Sequence, residues 1–391
     1  MAIAALVGVA LTGCAPTAPA PSRTPSASAS ATPSASASPS PSPSTTPLTL
    51  EQRAAALVAR MTVQEQAGQV LITAGTVAEL PGLAPLVRRY HLAGVMVRGR
   101  SSAGTAAIAS AVRTVRRAVP ADPPLLVATD QEGGEVQVLS GPGFSTIPSA
   151  VEQARLAPAA LQTRAAGWGR ELAAAGINLD LAPVADTPCP ANENDNPAIA
   201  DLDRNYGDDP VAAGRSVSAF LRGLHAAGVA TTVKHFPGLG CVSENTDTAQ
   251  RVVDRAIGGD SPRLRPFRDG IATGTQAVML SSATYNLIDP ATPALFSRKV
   301  IGGLLRGKLG FAGVVMSDDV GGAVALKPWS AGERATRFIA AGGDLTLDIV
   351  PADMAPMSAA LADRASRDPA FRSRLAEAAR HVVAARLRLV R

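Results

Sequence analysis

The most constraining feature of this chain is a regular alternation of short apolar runs with longer Ala-, Leu- and Arg-rich stretches, which begins at Thr49. Eight runs are typical of strands: Gly68–Ala74, Leu92–Val97, Leu125–Thr129, Ile177–Pro183, Ala230–Lys234, Ala277–Ser281, Gly313–Ser317 and Asp344–Ile349. Several are continuous in Val, Leu and Ile, as in parallel strands that are buried on both faces. The stretches Ser149–Ala175, Pro210–Ala227 and Ser330–Ala341 have helical periodicity. The alternation predicts an α/β fold, a single (β/α)8 barrel of the TIM type over residues 49–391.

Polar motifs follow four of the eight runs. They are Asp130-Gln131-Glu132-Gly133-Gly134 after the third run, Asp186 after the fourth, Lys234-His235 at the end of the fifth and Asp318-Asp319 after the seventh. In barrels of this type, functional side chains lie at the C-terminal ends of the strands and in the loops that follow. The sequence therefore predicts a functional site at that end of the barrel.

The adjacent acids Asp318 and Asp319 are candidate catalytic carboxylates. Two carboxylates, one nucleophilic and one able to donate a proton, are the minimum for cleaving a glycosidic bond with retention of configuration. Strand alternation directs one of the pair toward the barrel mouth and the other behind it, but it does not indicate which. The alternative is that the pair caps a helix N-terminus.

Lys234 and His235 are candidate binding residues at the same end of the barrel. A lysine at a strand end is costly to bury without a role, whereas a lone histidine is often a satisfied structural residue. The four histidines are His91, His225, His235 and His381, and none belongs to a clustered Cys/His spacing. We therefore expect neither a metal site nor a cofactor.

Composition excludes two broad classes of protein. Apolar residues make up 46% of the 391 residues and charged residues 18%, which is a globular balance rather than that of a disordered chain. The formal charge of +5 comes from scattered arginines, and aromatic residues are only 3%. No basic stripe interleaved with aromatics is available to bind phosphates and stack bases, so nucleic acid is not expected as a partner.

The N-terminal segment is typical of an export signal rather than of the folded domain. An apolar run ends in Leu11-Thr12-Gly13-Cys14, which resembles a bacterial lipoprotein processing site, and it is shorter than the ~20 residues of a membrane-spanning helix. We predict a signal peptide over residues 1–14 with lipidated Cys14; the alternative is a frayed apolar N-terminus. Residues 15–48 are almost entirely Ala, Ser, Thr and Pro and predict a disordered tether. The protein would then be extracytoplasmic and touch the membrane only through its lipid.

Taken together and in order, the motifs resemble those of glycoside hydrolase family 3, in its single-domain β-N-acetylhexosaminidase branch. The matching segments are Asp130–Gly134, Gly141–Phe144, Asn178–Val184, Asp203-Arg204, Lys234–Gly238 and Ser317–Asp319. The resemblance implies that Asp318 is the nucleophile and that Asp130, Arg204, Lys234 and His235 hold the sugar. The implied substrate is a terminal β-linked N-acetylglucosamine, as found in cell-wall fragments. We expect the protein to be a monomer.

The acid/base loop departs from the family pattern. Where that branch carries Asp-Ser-His, this chain has Asn245-Thr246-Asp247, so we predict Asp247 as the proton donor, with Glu244 as a fallback. An ionised carboxylate there repels phosphate, which favours water as the acceptor. Glu135 and Val138 stand where relatives commonly carry arginine, and a histidine is frequent in place of Ser282. The alternatives are a β-glucosidase of the same family and a catalytically impaired sugar-binding lipoprotein.

The two remaining cysteines lie in loops that should be close together in a barrel. Cys189 follows the fourth strand run, and Cys241 begins the loop of the expected proton donor after the fifth. An extracytoplasmic location permits a disulfide. We predict a Cys189–Cys241 bond that restrains the root of this loop; the alternative is two free, buried thiols.

Overall fold

The computed structural model describes residues 48–190 and 195–389. The predicted signal peptide with Cys14 and, apart from Leu48, the predicted tether lie outside these described residues. Within them, no helix is both long enough and apolar enough to cross a membrane.

Eight parallel strands, β1 to β8 in chain order, form the centre of the fold. Their bounds are Leu71–Gly75, Gly94–Val97, Leu126–Thr129, Leu179–Asp180, Ala230–Phe236, Ala277–Leu280, Val314–Ser317 and Thr346–Asp348. Each strand from β1 to β6 pairs with the next along the chain, and β8 pairs with β1. A bridge between Met316 and Leu345 joins β7 to β8 and closes the ring. The predicted barrel is therefore confirmed.

Helices surround the barrel. Those of the α type, α1 to α11, span Leu50–Val58, Val63–Gln69, Leu80–Tyr90, Gly104–Arg116, Ala150–Gln153, Pro158–Ala174, Pro210–Ala226, Arg265–Thr273, Ala331–Ala341, Met354–Arg367 and Pro369–Arg388. A π-helix, Lys299–Lys308, lies between β6 and β7. Thr49, Thr62, Ser149 and Ser330 each begin a helix with a capping box, which satisfies backbone N–H groups that the first turn leaves without partners. Short strands Gln131–Gly133, Val136–Gln137, Val253–Asp254, Thr284–Tyr285 and Asp289–Pro293 form small sheets in the loops after β3, β5 and β6.

The observed strands differ from the predicted runs at several ends, and three of the differences concern the first, fourth and fifth strands. Gly68 belongs to α2 and not to a strand, so the first strand begins at Leu71. A glycine is needed in this helix because a Cβ at position 68 would lie 1.9 Å from the Tyr90 carbonyl oxygen. The fourth run contributes only Leu179–Asp180 to the ladder. The fifth strand continues to Phe236 and so includes His235 as well as Lys234.

Two apolar layers hold the barrel together, one inside the ring of strands and one between strands and helices. The inner layer contains Leu126 and Ala128 of β3, Met279 of β6, and Val314 and Met316 of β7. Because side chains alternate along a strand, the residue two positions after Met316 also points into the barrel. That residue is Asp318, at the open end where β7 stops.

Candidate active site

A buried charge cluster lies at the C-terminal ends of β3 and β5. Lys234 Nζ lies 2.6 Å from Asp130 Oδ1 and 2.6 Å from Glu132 Oε1. Arg204, from the loop before α7, donates to both carboxylate oxygens of Glu132 at 2.8 Å, and its Nη1 donates to the Ala198 carbonyl at 2.8 Å. Two cations and two carboxylates thus neutralise each other and fix the Asp130 carboxylate at the barrel mouth.

The electrostatics of this cluster keep Glu132 and Lys234 charged. Burial alone would raise the pKa of Glu132, but Arg204 and Lys234 outweigh it and lower that pKa to about 2. Burial would likewise lower the pKa of Lys234, but Asp130 and Glu132 raise it above its usual range. The cluster is therefore a fixed set of charged hydrogen-bonding groups, of the kind that orients hydroxyl groups in a concave site.

Asp180, at the end of β4, is a buried carboxyl group near this cluster. Its Oδ1 accepts a hydrogen bond of 3.0 Å from the Gln131 backbone N–H, while its Oδ2 has no hydrogen-bond partner within the described part of the chain. Burial raises the pKa of Asp180 to about 8, because Lys234 and the Gln131 N–H offset the burial only in part. At neutral pH, Asp180 is therefore a neutral acid beneath charged residues.

Asp186, in the loop after β4, holds His235 in place. Its Oδ2 lies 2.7 Å from His235 Nδ1, its Oδ1 accepts a hydrogen bond of 2.8 Å from the Leu239 backbone N–H, and both oxygens lie 3.3 Å from the His235 N–H. The other ring nitrogen, Nε2, lies 3.5 Å from Arg204 Nη2. Because Asp186 engages Nδ1, the Nε2 edge of His235 is the one presented to the cavity.

Asp318 and Asp319 differ in what engages their carboxylates. Both oxygens of Asp319 are held by backbone donors, namely the N–H groups of Gly321, Gly322 and Ile349 at 2.9 to 3.0 Å. Asp318 accepts a hydrogen bond of 2.8 Å from the Asp319 N–H through Oδ1. Burial raises the pKa of Asp318 to about 6, against the lowering effect of His235 and with a further increase from Asp247. Both oxygens of Asp319 are therefore used by backbone hydrogen bonds, whereas Oδ2 of Asp318 remains available to react with a substrate.

The loop after β5 carries Asp247 to the same cavity. The Asn245 side chain accepts a hydrogen bond of 2.9 Å from the Asp247 backbone N–H and so fixes a tight turn. Thr246 is buried, and its carbonyl accepts a hydrogen bond of 3.2 Å from the Ala325 N–H. The loop is thereby held against the segment that follows β7, while the Asp247 side chain stays exposed.

A disulfide joins Cys189 to Cys241, with their Cα atoms 4.9 Å apart. Beside it, the Cys189 N–H donates to the Gly240 carbonyl at 2.8 Å. The bond ties the loop after β4 to the start of the loop that carries Asp247.

One cavity of about 610 Å³ brings together the site residues expected from the sequence. Its polar and charged lining residues are Arg98, Asp130, Arg204, Lys234, His235, Asn245, Thr246, Asp247, Asp318 and Asp319. Apolar side chains, among them Met96, Leu181 and Met279, form part of its wall. Among residues 48–190 and 195–389, no group of three or more His, Cys, Asp or Glu side chains is arranged to hold a metal ion.

Three other residues that the sequence singled out, Glu244, Glu135 and Ser282, do not line this cavity. Glu244 lines a separate cavity of about 360 Å³, and Glu135 pairs with Arg100 at the surface. Ser282 is buried and does not line the main cavity. Sequence reasoning assigned no role to Glu132, although it lies in a quoted motif, nor to Asp186, although its place after a strand was noted.

Comparisons with known proteins identify the family of this barrel. A family model described as Glycosyl hydrolase family 3 N terminal domain matches residues 62–385. The chain belongs to glycoside hydrolase family 3. It is therefore a glycoside hydrolase, and the family 3 match spans the whole barrel from α2 into α11.

Relatives within family 3 include two named β-hexosaminidases. The one from Xylella fastidiosa strain M23 is 40% identical over 238 residues, which is 59% of this chain and 68% of the relative. The one from Stenotrophomonas maltophilia strain R551-3 is 35% identical over 266 residues, 66% of this chain and 76% of the relative.

Solved structures of family 3 proteins match over a larger part of the chain. A β-N-acetylhexosaminidase from Beutenbergia cavernae DSM 12333 is 44% identical with a TM-score of 0.81, and the match covers 84% of this chain and 99% of that one. A family 3 β-N-acetylglucosaminidase from Paenibacillus sp. FPU-7 is 30% identical with a TM-score of 0.76, covering 84% and 63%.

Proposed function

We propose that this protein is an exo-acting, retaining β-N-acetylhexosaminidase that hydrolyses terminal β-linked N-acetylglucosamine. The observation that carries the proposal is the placement of Asp318 and Asp247 on one cavity with the fixed Lys234, Arg204 and Asp130 cluster. Relatives with the same barrel carry the names β-hexosaminidase and β-N-acetylhexosaminidase.

The mechanism follows from the carboxylates of Asp318 and Asp247. Asp318 attacks the anomeric carbon as the glycosidic bond breaks, and Asp247 gives its proton to the departing oxygen. Water then attacks the glycosyl–Asp318 ester; Asp247 takes a proton from that water, and the sugar leaves with the hydroxyl group. Asp130, Lys234 and His235 Nε2 orient the hydroxyl groups of the sugar, which keeps its anomeric carbon in line with Asp318.

A mechanism-based trap tests the nucleophile. A 5-fluoro glycosyl fluoride of N-acetylglucosamine should form an adduct on the peptide that contains Asp318, and fragmentation should place it on that residue. An adduct on Asp319 or on no residue would remove the assignment.

Paired nitrophenyl substrates separate β-N-acetylhexosaminidase activity from β-glucosidase activity. We expect hydrolysis of the nitrophenyl N-acetylglucosaminide but not of the nitrophenyl glucoside.

Leaving-group dependence tests the proton donor. Asp247→Asn should lose at least about a hundredfold in kcat/KM on a disaccharide, whose leaving oxygen needs a proton, and much less on a dinitrophenyl glycoside, which leaves without one. Glu244→Gln is the matched control, three residues away on the same loop but outside the cavity. Equal losses on both substrates would assign Asp247 another role. Binding without turnover in the wild type would support a sugar-binding protein instead.

We further propose that the protein works as a lipid-anchored monomer outside the cytoplasmic membrane, on fragments of the cell wall. The processing-site pattern at Cys14 and the Ala/Ser/Pro-rich residues 15–48 support the anchor and a tether. The nucleophile, the proton donor and the sugar-binding residues of the proposed mechanism line one cavity of this chain, so the mechanism needs no residue from a second copy. Cys14→Ser should release the protein from membranes and abolish fatty-acid labelling. Retention of either would contradict the anchor.

A further inference from the structure

Arg98, which follows β2 directly, is a cation of the active-site cavity that the mechanism above does not use. Its side chain is 37% exposed and its Nε is buried, and that Nε makes no hydrogen bond within the described part of the chain. Its Nη2 lies 3.4 Å from Glu79 Oε2. Arg98 therefore lines the cavity with one long contact to an acid, and its terminal N–H groups keep donors that this contact does not use.

The ion pair with Glu79 does not satisfy Arg98. The Glu79 side chain is 56% exposed, and its Oε2 also accepts a hydrogen bond of 2.8 Å from the Thr76 backbone N–H. An exposed pair with a single long contact contributes little and is easily displaced by a better anion. By contrast, the other cationic lining residues, Arg204 and Lys234, are paired with Glu132 and Asp130 at 2.6 to 2.8 Å.

Charge is therefore divided across the cavity mouth. With the buried cluster neutral, Asp318, Asp319 and Asp247 leave negative charge on the side of β7 and of the loop after β5. Arg98 places a guanidinium that is only weakly paired with the exposed Glu79 at the end of β2, three strands around the ring from β7. Repulsion by the three acids disfavours an anionic group near the nucleophile, whereas the Arg98 side of the cavity offers a cation for it.

We propose that Arg98 selects glycans that carry an anionic group, a carboxylate or a phosphate. The inference rests on the proposed function and adds the substrate class of the same site. Two sources of the anion are chemically equivalent at Arg98: a carboxylate on the leaving sugar, or a phosphate on the sugar that is cleaved off. A guanidinium binds either one through paired N–H donors.

Two pairs of probes separate these sources. The first compares kcat/KM for N-acetylglucosamine β-linked to N-acetylmuramic acid with that for its carboxyl methyl ester. The second compares binding of N-acetylglucosamine 6-phosphate and N-acetylglucosamine by titration calorimetry, which needs no turnover. In the wild type, we expect the anionic member of at least one pair to be preferred by about tenfold, as for one charge-assisted hydrogen bond, and the preference to shrink as salt is added.

The variants make the result specific to Arg98. Arg98→Ala should abolish the preference and leave hydrolysis of the neutral nitrophenyl glycoside nearly unchanged, while Arg98→Lys should keep part of it. Arg100→Ala is the matched control, because Arg100 is 67% exposed, pairs with Glu135 and does not line the cavity. No anionic preference in either pair, or the same preference in Arg98→Ala, would overturn the proposal. Failure of the wild type to hydrolyse the neutral glycoside would instead refute the proposed function, and the calorimetric pair would still test Arg98.

Discussion

Replacing Glu132 by Gln should remove much of the stability of the barrel mouth. Glu132 is 4% exposed and makes two hydrogen bonds of 2.8 Å with Arg204 and an ion pair of 2.6 Å with Lys234. Breaking a buried pair by neutralising one partner costs about 3–5 kcal/mol. Lys234 keeps Asp130 at 2.6 Å, so we place the loss of unfolding free energy near the low end, at about 3 kcal/mol.

Urea denaturation followed by circular dichroism and tryptophan fluorescence measures this loss. Glu135→Gln is the control in the same motif, because that residue is 71% exposed and pairs with an exposed Arg100; its loss should stay below about 1 kcal/mol. A Glu132→Gln loss below about 1 kcal/mol would refute the reasoning, since the buried cations would then not need Glu132.

The same variant has a pH signature with a definite sign. The pKa of Glu132 falls from 4.5 to about 2 on folding, so its ionisation stabilises the fold fully above about pH 4.5. That contribution is lost as the pH falls through 2. The difference in unfolding free energy between wild type and Glu132→Gln should therefore be constant from pH 6 to 8 and shrink below pH 4.5.

Three further predictions concern neighbouring acids. The raised pKa of Asp318 should give kcat/KM an acidic limb near pH 6, as the nucleophile is protonated below it; Asp319→Asn should keep that limb. Between about pH 4 and 8, Asp180 is protonated when folded and ionised when unfolded, so stability falls as pH rises. Melting temperatures of Asp180→Asn should therefore vary less with pH across this range than those of the wild type. Asp186→Ala frees the His235 ring and should lower kcat/KM of the folded enzyme by up to about a hundredfold, and Asp186→Asn should lower it less. Asp186→Ala should also lower the unfolding free energy by about 1–3 kcal/mol, because the Leu239 N–H loses its acceptor. Equal kinetics would show that His235 needs no such support.

The barrel was predictable because its evidence is local. Runs of Val, Leu and Ile that alternate with helical stretches reflect burial on both faces of each strand, and six of the eight runs contribute most of their length to the ladder, while the eighth contributes half. The fourth run contributes only Leu179 and Asp180 to the ladder, and the segment from Leu181 onward is no longer part of it. Its apolar composition alone does not reveal that departure.

The site was predictable in its location but not in its pairings. Strand ends indicated Asp130, Lys234 and Asp318, since one end of a barrel collects the ends of all its strands. The partnership of Glu132 with Arg204 spans 72 residues and exists only once the barrel closes. Strand alternation alone left the choice between Asp318 and Asp319 open, and the resemblance selected Asp318; its physical reason is that Met316 points inward.

The Cys189–Cys241 bond makes a covalent ring of one complete segment of the fold. With a sequence separation of 52 residues, chain entropy alone gives the crosslink a stabilising effect of about 4 kcal/mol. The ring encloses α7 and β5, and thus both Lys234 and His235. A protease that cuts one peptide bond within the ring leaves both fragments joined, so the nicked enzyme keeps its sugar-binding residues together until a reductant opens the bond.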